Sequence, residues 1–200
     1  MHLLDRLLTV IEQNILPMTR ASVAGGNKIF GAAILKKSDL SLVIAETNNE
    51  VENPLWHGEM HTIKKLYEMK DRSNLSDPKD CIFLSTHEPC SLCLSAITWG
   101  GYDNFYYLFS YENTRDNFNI PHDIRIIQEV FGDTQSNRPL YNRKNSFWCS
   151  HSILDMVDRI DKHNANYQTL LDRIDALNKV YAELSAVYQA NKDSQCIPLA

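Results

Sequence analysis

No apolar run in the 200-residue chain is long enough to cross a bilayer, and the opening stretch MHLLDRLLTVIEQ carries Asp5 and Glu12 where a secretory signal would be uninterrupted and apolar. A cytoplasmic location with no membrane partner is the expectation. Positive charge is also scarce. Lys and Arg number 20 against 25 Asp and Glu, a net charge of −5. Proteins that grip a phosphate backbone carry a basic face, so nucleic acid is a disfavoured partner. Internal repeats and low-complexity tracts are missing too. The five cysteines, Cys81, Cys90, Cys93, Cys149 and Cys196, are an odd count without an export signal, which points to reduced thiols and metal chemistry instead of disulfide staples. There is one Cys-x-x-Cys and no second, so the ligand set of a closed four-cysteine structural zinc site is not present.

What remains is an ordinary globular chain of single-domain size, 44% hydrophobic and 22% charged. Leu3, Leu4, Leu7, Leu8, Ile11 and Ile15 recur at steps of three and four, predicting a helix over residues 2–16 that stops at Pro17, with a loop over 21–27. The apolar runs KIFGAAIL (28–35) and LSLVIAE (40–46) predict a hairpin. Asn53-Pro54 predicts the start of a helix running through residue 70. Then come a strand at 81–85, a short helix at 90–99 ended by Gly100-Gly101, and a strand at 105–109. That order predicts a three-layer α/β/α sandwich around a mixed sheet, its first two strands antiparallel and its later ones parallel.

The last fifty residues read differently. Ile153, Met156, Ile160, His163, Tyr167, Leu170, Ile174, Leu177, Tyr181, Leu184 and Tyr188 keep a three-four spacing, and flanking Val157, Leu171, Val180 and Val187 widen the stripe beyond a two-stranded seam. The division expected is a body over 1–150 and a helical extension over 151–200 packed on that body or on a partner subunit, with a break at 162–166.

Chemistry concentrates in two strings. From this composition Pro-Cys-x-x-Cys should arise by chance roughly 0.004 times and His-x-Glu about once, so Pro89-Cys90-Ser91-Leu92-Cys93 carries the weight and His57-Gly58-Glu59 gains meaning from it. Together they match the ligand and proton-shuttle pattern of the zinc nucleobase deaminases. At the start of a helix Cys90 and Cys93 share one face, and the unpaired amides there favour thiolate. Adding His57 makes three protein ligands, the set of a catalytic zinc with an open position. A two-residue step in a helix turns about 200°, so His57 and Glu59 both face the metal only if His57 lies at the helix start. His61 is the rival ligand, but HGEMH lacks the adjacent glutamate of the zinc proteases. Cys81, Cys149 and Cys196 stand singly and are assigned to packing or surface.

Over residues 20–131 these strings resemble the cytidine deaminase-like superfamily, and within it the branch of guanine deaminases and tRNA adenosine deaminases. Phe30-Gly31-Ala32-Ala33-Ile34 resembles that branch's Phe-Gly-Ala strand. Glu88-Pro89-Cys90-Ser91-Leu92-Cys93-Leu94-Ser95-Ala96-Ile97 resembles its cysteine helix, and Trp99 the aromatic that follows. The resemblance implies that His57, Cys90 and Cys93 bind zinc, that Glu59 shuttles protons, and that Asn48 (or Asn49), Phe30, Trp99 and Asp123 contact the substrate. For Asp123 a helix N-cap is the alternative. Trp56 replaces a small family residue beside His57, which implies a different pocket shape. The implied activity is hydrolytic deamination of a small amino-substituted heterocycle, a purine-type base or nucleoside, with pyrimidine or tRNA adenosine deamination and an inactive interaction module as alternatives. A homodimer is the implied assembly.

Overall fold

The leucine and isoleucine stripe at the N-terminus forms helix α1 (His2–Val10), a wide π turn (Ile11–Ile15) and helix α2 (Leu16–Ala24) in the computed structural model, which describes residues 2–71, 75–132, 140–194 and 197–199. The helix thus runs through the expected stop at Pro17. Proline's ring collides with the carbonyl four residues back in a regular helix. Here the Leu16 N–H reaches back to the Ile11 carbonyl, and the widened coil leaves Pro17 in the first turn of α2, where no amide donor is needed. The expected loop shrinks to a turn at Gly25 and Gly26.

Strands β1 (Gly31–Lys36) and β2 (Leu42–Thr47) form the expected antiparallel hairpin. Strand β3 (Cys81–His87) lies antiparallel to β1, and β4 (Asn104–Phe109) and β5 (Cys149–Ser152) follow in parallel, giving the order β2-β1-β3-β4-β5. Residue 150 falls inside β5, so the sheet runs past the boundary expected there. Helix α3 (Gly58–Glu68) leads from β2 toward β3, and α4 (Ser91–Trp99) joins β3 to β4. After β4 come α5 (Tyr111–Asp116) and α6 (His122–Phe131); after β5 come α7 (Ile153–Asp158) and α8 (Tyr167–Asn191).

Alternation along the strands divides the core. Ala32 and Ile34 of β1 and Phe83 of β3 pack with Leu66 of α3 and Ile97 of α4, while Ala33, Leu35, Ile82 and Leu84 face Leu7, Leu8, Ile153, Leu177 and Tyr181 from α1, α7 and α8. The result is the three-layer sandwich with a mixed sheet. The C-terminal helices pack in cis on the layer that holds α1. Leu170, Leu177 and Leu184 are buried there and contribute about 1.5–3 kcal/mol each. The Arg173 guanidinium adds a fork to Asp5 (2.6 Å) and Glu12 (2.7 Å) across the two helices. No described helix is long and apolar enough to cross a membrane.

Candidate metal centre

Two helix starts meet on one side of the sheet. His57 is the N-cap of α3, with extended backbone at φ −60° and ψ 160°, and Cys90 is the N-cap of α4. Asn53 does not cap α3; it sits in the preceding turn, four residues too early. The extended N-cap lets His57 and Glu59 face the same point, and one turn of α4 brings Cys93 beside Cys90. The Cys90 Sγ lies 3.4 Å and the Cys93 Sγ 3.8 Å from the His57 Nδ1, and the three donor atoms fall within 4.8 Å of one another. Glu59 reaches the same spot. Its Oε2 is 3.3 Å from the Cys93 Sγ, and its Oε1 accepts a hydrogen bond from the Ser85 hydroxyl at 2.8 Å.

The electrostatics suit a thiophilic cation. The neighbouring Cys93 thiol holds the Cys90 sulfur well below the usual thiol range against the opposing effect of burial, and His57 adds to the shift. Burial pushes the Cys93 thiol up, as does the charge on Cys90. Burial alone would lower the His57 imidazole, but the Cys90 sulfur, with Glu50 and Glu59, raises it to about 9. Burial raises the Glu59 carboxyl, Cys90 reinforcing it and Ser85 opposing. One imidazole nitrogen and two sulfurs around one point, with the Cys90 sulfur biased toward thiolate, is a donor set that fits zinc.

The group borders a cavity of ≈440 Å³, whose lining includes Phe30, Leu55, His57, Cys90, Asp123 and Leu199. Burial pushes the Asp123 carboxyl well above its usual range, helped by the charge on Cys90. Phe30 and Asp123 thus stand beside the group, and Asp123 lies in the first turn of α6. The other two expected contacts are placed elsewhere. Asn48 is 1% exposed and outside the lining, because its Oδ1 accepts the Gly58 N–H and its Nδ2 donates to Glu50 Oε2. Asn49 instead bonds Glu52 and the Trp56 backbone. Trp99 is 91% exposed and also outside the lining. It ends α4, eight residues and about 12 Å of helical rise beyond Ser91, so adjacency to the motif in sequence becomes distance in space.

Trp56 turns away as well, stacked 6.0 Å from His61 with the Lys64 ammonium over its ring. His61 bonds the Thr47 carbonyl and is no rival ligand. Cys81 is buried in the core and Cys149 half-buried on β5, while Cys196 lies outside the described residues. Three polar residues near the centre escaped sequence reading: Lys28 and Glu50, an ion pair at 2.8 Å, and Ser85. Their pairings span 22 and 26 residues with no motif to announce them. His87, one strand step from Glu88, is caged by Phe30, Phe109, Phe118 and Tyr181, and burial pushes it down to about 3.

The start of α3 is pressed against β1. A Cβ on Gly58 would stand 2.7 Å from the Gly31 Cα and 2.8 Å from its nitrogen, which is backbone and cannot yield. Gly58→Ala is therefore expected to lower stability by about 1–3 kcal/mol and to weaken metal retention, as read by urea unfolding and zinc content. Wild-type stability in that variant would show that α3 slides freely on the sheet.

Residues 6–109 match the family model described as the cytidine and deoxycytidylate deaminase zinc-binding region, a span that contains His57, Glu59, Cys90 and Cys93. The chain belongs to this deaminase family. Over 79 residues it is 37% identical to guanine deaminase of Bacillus subtilis (strain 168), a match covering 38% of this chain and 47% of that one. The deaminase-family chain thus spans about half the length of that curated relative. Among solved structures, guanine deaminase from Nitrosomonas europaea superposes over 86% of this chain and 81% of its own, at 16% identity and a TM-score of 0.52. A chain solved with 8-azaguanine matches at 16% identity over 86% of this chain and 82% of its own, with a TM-score of 0.52. At such identity these two matches speak to the fold alone. Zinc is the family's metal, and His57, Cys90 and Cys93 would hold it. When bound there, zinc supplies Lewis acidity that brings the pKa of a coordinated water from about 15.7 toward 7.

Proposed function

We propose that the protein is a zinc-dependent hydrolytic deaminase of a purine-type free base or nucleoside, with guanine first among candidates. The observation that carries the reaction type is the Glu59 carboxylate, 3.3 Å from a sulfur of the ligand group and buried at the wall of a small void that also touches His57, Cys90 and Asp123. An idle binding module has no physical need of a buried carboxylate at that point. In this reading Glu59 takes a proton from the attacking water and delivers it to the ring nitrogen, then takes the remaining hydroxyl proton and gives it to the departing ammonia as the carbon–nitrogen bond breaks and the amine-bearing carbon becomes a carbonyl.

Support for a small flat substrate comes from the ≈440 Å³ cavity, which lies within the size range of small-molecule sites and combines Phe30, Leu55, Ile120 and Ile126 with few polar groups. The resemblance in sequence to a guanine deaminase favours a purine. Asp123, in a setting that favours its protonated form, is assigned to a polar edge of the ring, and Phe30 to its face.

The test is ammonia release from guanine, adenine, cytosine, their nucleosides and an anticodon stem-loop, with salt varied. Turnover of a free purine base or nucleoside is the expected result. Turnover of the stem-loop alone, falling steeply as salt rises, would promote the tRNA reading, since phosphate contacts impose that salt dependence. Pairing with a second copy is part of the proposal, and sedimentation should give the mass of two chains.

A further inference from the structure

We propose that Glu50 is a positioning residue that fixes the His57 ring for metal ligation, and that Lys28 and Asn48 hold Glu50 in place; this rests on the reading of His57, Cys90 and Cys93 as a zinc site. The two nitrogens of His57 face different groups. Nδ1 looks toward the sulfurs of Cys90 and Cys93 at 3.4 and 3.8 Å, and Nε2 lies 3.7 Å from the Glu50 Oε1. A histidine that commits Nδ1 to a metal carries its proton on Nε2, and that N–H needs an acceptor to hold the ring in plane with the ion. The Glu50 carboxylate faces that nitrogen at ion-pair distance, a few tenths of an ångström beyond a hydrogen bond, and is the acceptor assigned to it.

Glu50 is itself tightly held. Its side chain is 2% exposed. Lys28 Nζ donates to Oε1 at 2.8 Å and Asn48 Nδ2 to Oε2 at 2.7 Å, which leaves the carboxylate acceptor capacity on the His57 side. Asn48 also accepts the Gly58 N–H through its Oδ1, so the same amide ties Glu50 to the first residue of α3. Asn48 thereby ties the carboxylate to the helix start that carries His57. The Lys28 cation offsets the charge of a carboxylate that would otherwise be buried alone.

The competing account makes Lys28 and Glu50 a purely structural ion pair. Two variants separate the accounts: Glu50→Gln, and the double variant Lys28→Met/Glu50→Gln, which removes both buried charges while keeping their volume. Zinc affinity is measured by competition with a chromophoric chelator, the ligand field from the visible bands of the cobalt-substituted protein, and stability by melting. The expected results are zinc binding weakened about 10- to 100-fold in Glu50→Gln, with shifted cobalt bands, and a double variant that melts near wild type yet keeps the weak affinity and the shifted bands. Wild-type affinity and spectrum in the double variant, or in Glu50→Gln itself, would overturn the proposal while leaving the zinc site standing. Wild-type protein that takes up no zinc would instead overturn the zinc reading, and this one with it.

Discussion

Glu59→Gln is expected to retain zinc at the wild-type ratio and to lose turnover by about 10²- to 10⁴-fold or more, since a positioned proton shuttle contributes that much and this one acts at both ends of the reaction. Glutamine has nearly the same shape and keeps an oxygen for the Ser85 hydroxyl, which now bonds Glu59 at 2.8 Å. What it loses is the ability to accept a proton and return it. Initial rates of ammonia release, read beside zinc content by emission spectrometry, separate the two effects. Rates within a few-fold of wild type would end the assignment of Glu59 as the shuttle. Equal loss of zinc and rate would turn it into a ligand or a structural residue.

The second large effect is expected at Cys90. Cys90→Ala removes a sulfur from the group and leaves His57 and Cys93 as two donors that cannot close a zinc site. Metal should be lost, and stability with it, because an ion that binds only the folded chain stabilises it by RT ln(1 + [L]/Kd), about 4 kcal/mol when free zinc is a thousand times Kd. The control lies in the wild type, where a chelator should lower the melting temperature toward that of the variant. Adding zinc should raise the wild type back and leave Cys90→Ala unmoved. A variant that still binds zinc and melts with the wild type would show that Cys90 is not a ligand.

The centre was legible because its residues are local and its spacing is geometric. Two cysteines three apart at a helix start share a face, and a histidine two residues before a glutamate shares a target only from an N-cap, so the pattern implied the backbone that α3 and α4 display. Periodicity located the hairpin, both crossover strands and the tail, with its break before α8. What escaped was set by tertiary partners. Cys149–Ser152 reads CSHS, with no alternation of strand-forming apolar residues, and becomes β5 because β4 offers it a free edge. Pro17 reads as a terminator until the π turn before it is known. The partners of Asn48 also escaped, since its amide bonds Glu50 and Gly58, which no spacing links to it. Trp99 stands close to the motif in the chain and at the far end of the helix in space.

The embrace of α1 by α8 also bears on how the molecule is made. Arg173 bonds Glu12 and Asp5 across 161 and 168 residues of chain. At a synthesis rate of roughly 5–20 residues per second, the first helix waits about 10–30 s on the ribosome before its partners on α8 exist. Until then the apolar stripe of α1 has the sheet to pack on but not the residues of α8. The sheet and the two helix starts that carry His57, Cys90 and Cys93 are complete earlier, apart from β5, so the half with the candidate metal centre is translated well before the helix that seals the other layer. Chaperone capture of the first twenty residues during translation should therefore lessen once the sheet forms and end as α8 emerges.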